Sequence, residues 1–177
     1  MERGAFDTAY YAIALPTFHL ESMTALKSEL ESLIVEKYLE HSKRNPIHLD
    51  FDGSLESLGL FAKKETFTRV ISNLLNNAIE ASPARSGIVV SVRLSKDQSL
   101  ILSVMDQGKG ISGEDLKHLG VRGFTRGKAD GSGLGLWSAR EFLAGLGARL
   151  EVDSMVDVGT TVSMLFPREC WAMVSPY

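Results

Sequence analysis

Nine of the sixteen glycines in this 177-residue chain fall between Asp106 and Gly135, at positions 108, 110, 113, 120, 123, 127, 131, 133 and 135. A stretch so poor in Cβ atoms cannot supply a core, so it has to be carried on one built by the rest of the chain. In a compact domain, a connection of about twenty or more residues is usually a functional lid or is disordered. Part of it reads as a helical turn, because Ser112 and Asp115 make a capping-box-like start before Leu116 and Leu119.

The flanks supply the core. Leu20 to His41 carries Met23, Leu26, Leu30, Leu33, Ile34 and Tyr38 at helical spacing, and Asn45-Pro46 ends that helix. Ile47 to Phe51 alternates as a half-buried strand does. From Lys64 to Ala81, Val70, Ile71, Leu74, Leu75, Ala78 and Ile79 form one apolar stripe that stops before Pro83. Strands are expected at Ile88 to Leu94 and Leu100 to Met105, joined by the turn Ser95 to Ser99. After the glycines come a helix from Trp137 to Leu146, stopped by Gly147, and strands at Arg149 to Asp153 and Thr160 to Phe166. The regular βαβ alternation of a parallel sheet is missing. An α+β fold is expected, a two-layer sandwich with helices on one face of a mixed, mostly antiparallel sheet.

Composition narrows the function. With 19 Lys+Arg against 22 Asp+Glu the net charge is -3, which argues against broad attachment to nucleic acid. A single cysteine, Cys170, and four scattered histidines offer neither a disulfide framework nor a metal-ligand spacing. The longest early apolar run, Tyr10 to Leu15, is cut by Pro16 and is too short to cross a bilayer. The chain reads as a cytoplasmic piece without direct membrane contact, whether or not its parent is membrane-anchored.

Three segments carry candidate chemistry. Asn73 and Asn77 lie one turn apart on the second helix, with Arg69 before them and Glu80 after. Carboxamide oxygens are neutral, hard ligands for Mg²⁺, and carboxamide NH₂ groups donate to phosphate. Asp106-Gln107-Gly108-Lys109-Gly110 follows a strand directly; its carboxylate could accept from an adenine NH₂ while the glycines let backbone approach a planar base. Gly131-Ser132-Gly133-Leu134-Gly135-Leu136 opens a helix, where free N–H groups bind phosphate. No Lys-Ser/Thr follows, so it is not a Walker loop, and no dinucleotide βαβ unit surrounds it. Taken singly, each is matched by a plain alternative: a solvated polar face, or a glycine-rich turn.

In this order and spacing the segments from about Lys63 to Pro167 resemble the ATP-binding catalytic domain of sensor histidine kinases. That domain belongs to the gyrase, heat-shock chaperone, histidine kinase and MutL superfamily. Asn73 to Ala81 resembles its N box, Asp106 to Gly110 its first glycine box, Phe124-Thr125-Arg126 its F box, and Gly131 to Leu136 its second glycine box. Gly159-Thr160-Thr161-Val162 resembles the closing strand motif.

The resemblance implies ATP and Mg²⁺ as cofactors. Asn77, assisted by Asn73, would hold the metal and meet the phosphates. Asp106 would recognise the adenine amine, with Gly108 and Gly110 shaping the base pocket and Thr160 reaching the base through water. The backbone from Gly131 through Gly133, Leu134, Gly135 and Leu136 would hold phosphates under a lid carrying Phe124. Arg126, with Lys128 or Arg122, would reach the terminal phosphate. ATP hydrolases of the superfamily place Glu where Asn73 stands; an amide is no base, so the γ-phosphoryl group is left for another nucleophile. The implied function is phosphoryl donation to a histidine on a separate dimerisation domain, with a response regulator downstream. The alternatives are a degenerate nucleotide-binding or docking module without turnover and, disfavoured by Asn73, an ATP-hydrolysing clamp. Glu80, often Lys or Arg in the family, and a short lid favour the first alternative.

His19, in Phe18-His19-Leu20-Glu21, lacks the surroundings of a phosphoacceptor histidine and reads as an ordinary residue at a helix start. Residues 1–41 are expected to be a linker or the remnant of a dimerisation helix, 42–167 the catalytic domain, and 168–177 a tail.

Overall fold

The computed structural model describes residues 23–41, 44–119 and 135–174. Its main sheet has five strands: β2 (Ile47–Phe51), β4 (Ile88–Leu94), β5 (Leu100–Asp106), β6 (Arg149–Met155) and β7 (Gly159–Phe166), in the spatial order β2-β4-β5-β7-β6. β2 runs parallel to β4 and every other pair is antiparallel. Alternation sends Ile88, Val90, Val92, Leu100, Leu102, Val104, Met164 and Phe166 into the core. Ser103 and Ser163 point to the other face and share a hydrogen bond of 2.8 Å. This is the mixed, mostly antiparallel sheet expected from the sequence.

Three helices cover the inward face: α1 (Leu26–Glu40), α2 (Lys64–Ala81) and α4 (Gly135–Gly145). α2 buries Phe67, Val70, Ile71, Leu74, Leu75, Ala78 and Ile79, the predicted stripe with one addition. α4 buries Ala139 and Leu143. Gly147 adopts φ +66° just beyond it, and the Ala148 N–H returns 2.8 Å to the Leu143 carbonyl, which closes the helix end. The turn α3 (Gly113–Leu116) is capped as anticipated, by Ser112 Oγ accepting from the Asp115 N–H at 3.2 Å.

A second sheet escapes the sequence reading. β1 (Met23–Ala25), β3 (Leu58–Phe61) and β8 (Trp171–Met173) form an antiparallel trio in the order β1-β3-β8. Met23 to Ala25 are thus strand, not the start of the first helix, because they pair with Gly59 to Phe61 and Thr24 Oγ1 donates to the Ala62 carbonyl at 3.0 Å. Leu26, Leu30 and Leu33 of α1 belong to the same buried cluster as α2 and the main sheet, as do Cys170 and Trp171. The packed unit therefore reaches beyond 42–167 on both sides. Trp171 donates to the Gln98 carbonyl at 3.3 Å and lies under the Arg168 guanidinium. Burial, aided by Glu169, pushes the Cys170 thiol up to about 11, so it packs as a neutral group.

α1 and α2 meet along a polar seam. Glu29, buried on α1, accepts from Lys64 Nζ at 2.8 Å and Thr68 Oγ1 at 2.6 Å; His41 and Asn76 close the other end at 3.1 Å. Burial alone would raise the Glu29 carboxyl, but the ammonium and the hydroxyl hold it below its ordinary value. Such a group adds stability above its unfolded pKa of about 4.3 and loses it as pH falls through the lower folded value. Glu29→Gln should therefore cost about 1 kcal/mol at pH 7 and shrink the difference from wild type at acid pH, read from urea melts at pH 7 and pH 3.

Candidate nucleotide site

Asn73, Asn77 and Ala81 follow one another at one-turn intervals on α2, so they line a single edge of that helix. Two parts of the candidate site abut this edge. At Asn73 and Asn77 the neighbour is Gly135, the first residue of α4: a Cβ there would stand 3.6 Å from Asn73 Cβ and 3.8 Å from Asn77 Nδ2. Gly135, where the eleven described residues of α4 begin, thus lies beside two carboxamides.

One turn further on, Ala81 meets the first glycine segment. A Cβ on Gly108 would come 2.7 Å from both the Ala81 carbonyl carbon and oxygen, and the Lys109 N–H donates to that oxygen at 3.3 Å. Only glycine lets the loop lie this close to α2. Gly110, at φ +64°, passes against the β6–β7 hairpin, where a Cβ would stand 2.0 Å from the Met155 carbonyl oxygen. The loop is also tied to that hairpin by the Asp157 N–H donating to the Lys109 carbonyl at 2.9 Å.

Asp106 ends β5 with its side chain on the helix-facing side, opposite Thr160 of β7. Its Oδ1 accepts from the Gly108 N–H at 2.7 Å. Burial pushes the carboxyl above its ordinary value, partly offset by the N–H groups of Gly108 and Thr160. Thr160 is buried too, and its Oγ1 lies 2.9 Å from the Oγ of Ser154 on β6. Sequence reasoning passed over Ser154, since a serine at an alternating strand position carries no signal until the hairpin register sets it opposite Thr160.

The structure thus brings together Asp106, Gly108, Gly110 and Thr160 as one group, which meets α2 through Gly108 at Ala81, and Asn73, Asn77 and Gly135 as another, further back along the same edge of that helix. Leu136 follows in α4 and packs against the core. Glu80 is exposed. Phe124, Arg126, Lys128, Gly131, Gly133 and Leu134, with Arg122 and His19, lie outside the described residues. A separate groove of about 380 Å³ between α1 and α2, lined by Glu29, Leu33, Lys64, Thr68 and Ser72 among others, contains none of the predicted site residues.

The fold defines an α+β domain in which one edge of α2 meets both the Asp106–Gly110 loop and Gly135 of α4. Residues 62–169, more than half of the chain, match the family described as histidine kinase-, DNA gyrase B- and HSP90-like ATPase, and the chain belongs to that family. Among curated relatives it is 29% identical over 144 residues to the sensor histidine kinase WalK of Bacillus subtilis, a match covering 77% of this chain and 23% of WalK. It is 30% identical over 148 residues to the histidine protein kinase SaeS of Staphylococcus aureus, covering 77% of this chain and 41% of SaeS. The chain therefore spans less than half the length of either. Among solved structures, the mycobacterial sensor histidine kinase MprB superposes with a TM-score of 0.73 at 20% identity, covering 82% of this chain and 97% of that one. The catalytic domain of the histidine kinase ThkA gives 0.72 at 22% identity, covering 83% and 95%. These likenesses carry the fold. Among the described residues no helix is long and apolar enough to cross a membrane.

Proposed function

We propose that this domain binds Mg-ATP and donates its γ-phosphoryl group to a histidine on a separate dimerisation domain, with a response regulator receiving the group downstream. The supporting observation is the shared edge of α2, which meets the loop carrying the buried Asp106 carboxylate at Ala81, one turn from the carboxamides that face Gly135 of α4. The adenine would enter beside Asp106, its amine donating to the carboxylate. The phosphates would run towards Asn77 and the start of α4, where N–H groups and carboxamides meet negative charge.

Among the described residues no cluster of three His, Cys, Asp or Glu stands ready to cage a cation. The neutral oxygens of Asn77 and Asn73 suit Mg²⁺ shared with phosphates and water, which would offset charge on the triphosphate. In the transfer, an imidazole nitrogen attacks the γ-phosphorus, a P–N bond forms, and the bond to the β–γ bridging oxygen breaks as ADP leaves. The chain supplies positioning and charge compensation. Phosphotransfer from ATP to a supplied dimerisation domain, with and without Mg²⁺, is the direct test; no transfer to several such domains would defeat the proposal.

Asp106→Asn separates a binding role from a structural one. With its pKa raised by burial, Asp106 favours the fold below its unfolded pKa of about 3.9, and that contribution is lost as pH rises through the folded value. At pH 7 the ionised side chain is thus a cost in the nucleotide-free protein. The variant should melt at a higher temperature without nucleotide, yet bind ATP about ten- to a hundredfold more weakly, as expected for one lost charge-assisted bond of roughly 1.5–3 kcal/mol. Equal ATP affinities by calorimetry would remove Asp106 from base recognition.

A further inference from the structure

Asp106, Thr160 and Ser154 form one cross-strand row on the helix-facing side of β5, β7 and β6. Ser154 Oγ has three partners: it accepts from the Ile111 N–H at 2.8 Å, donates to the Gly159 carbonyl at 2.9 Å, and lies 2.9 Å from Thr160 Oγ1. A serine hydroxyl has one proton and two lone pairs. With its proton committed to Gly159 and one lone pair to Ile111, the contact with Thr160 is satisfied only if Thr160 donates. The Thr160 hydroxyl proton is thereby turned away from Asp106, and its oxygen remains an acceptor.

We infer that Ser154 is a positioning residue for purine selection: by holding Thr160 as an acceptor beside the Asp106 carboxylate, it favours a base edge that donates, adenine, over one that accepts at the same place, guanine. This rests on the nucleotide-binding reading above. Without Ser154 the Thr160 hydroxyl is free to rotate and donate towards guanine O6. Ser154 also joins the glycine loop, through Ile111, to the hairpin that carries Thr160, so base pocket and loop are set by one hydroxyl.

The test is calorimetry of the whole chain with Mg-ATP and Mg-GTP. The ratio of ATP to GTP affinity should fall about three- to tenfold in Ser154→Ala, the worth of one neutral hydrogen bond, and return in Ser154→Thr. Thr160→Val should show the same fall, and adding Ser154→Ala to it should change the ratio no further. If Ser154→Ala does not fold, Ser154→Cys, nearly the same size but a weak hydrogen-bonder, should show the fall. A folded Ala or Cys variant with the wild-type ratio overturns the inference alone, as does an unchanged ratio in Thr160→Val. A wild-type chain that binds no ATP overturns the nucleotide-binding reading and this inference with it.

Discussion

Gly110→Ala should remove about 3 kcal/mol or more of stability and abolish nucleotide binding, while Gly113→Ala, three residues on, should change neither. Two independent costs meet at Gly110. Its φ of +64° lies in the left-handed region, which costs an L-residue roughly 1–2 kcal/mol. A Cβ would also stand 2.0 Å from the Met155 carbonyl oxygen and 2.9 Å from Val156 Cα, backbone atoms that move only with the hairpin. Overpacking of that kind adds about 1–3 kcal/mol. For a domain of this size each kcal/mol lowers the melting temperature by about 2–4 °C, so a fall of about 6–12 °C is expected. Around Gly113 a Cβ meets nothing within 4 Å. Equal melting temperatures for the two variants would show that the loop does not bear on the hairpin as described.

The elements legible in the sequence are those whose pattern is set by one buried face. α2 is long enough for its stripe, Phe67 to Ile79, to recur over more than three turns, and β4 and β5 alternate between buried and more exposed positions over most of their length. The small sheet fails both conditions. β1 and β8 have three residues each, and Leu58, Gly59 and Leu60 of β3 are buried in succession, so no period of two can show. Those strands exist because of partners far along the chain, Gly59 with Ala25 on one side and Ala172 on the other. α1 misled for another reason. Besides its buried Leu26, Leu30 and Leu33 it exposes Val35, Tyr38 and Leu39, so its apolar residues spread round the helix and do not declare which side is core.

The candidate site was legible where backbone geometry demands a residue type. Gly108 and Gly110 stand out in the sequence by their spacing after Asp106, which predicts backbone approaching a base, whereas the space of each Cβ is occupied by protein backbone, of Ala81 and of Met155. Ser154 and Gly135 act through contacts made only when hairpin and helix are assembled. Gly159 sits between the two cases: its φ of +143° requires glycine, but the reason, the Asp106 carbonyl oxygen 2.1 Å from where a Cβ would be, lies on another strand.

Asn73→Glu should convert the domain towards hydrolysis. Asn73 stands one turn before Asn77, beside the start of α4, where the hydrolases of the superfamily are expected to carry their general base. The amide has no useful basicity near pH 7, whereas a carboxylate at the same place can orient and deprotonate a water for attack on the γ-phosphorus. General-base catalysis is worth about 10²–10⁴-fold in a site built for it; in a site not shaped around the water, a rise of about tenfold in ATPase turnover is expected. The new negative charge also opposes the triphosphate, so affinity should fall and turnover has to be compared at saturating Mg-ATP. Transfer to an added dimerisation domain should drop in the same variant, because water competes with the imidazole for one phosphoryl group. The paired outcome is what discriminates: at saturating Mg-ATP, slower transfer with unchanged hydrolysis would mean that the carboxylate disturbs transfer without acting as a base, and would remove position 73 from the general-base role. A wild-type chain already hydrolysing ATP as fast as Asn73→Glu would show that Asn73 does not restrain hydrolysis, and the assignment to an acceptor-dependent kinase domain would fall.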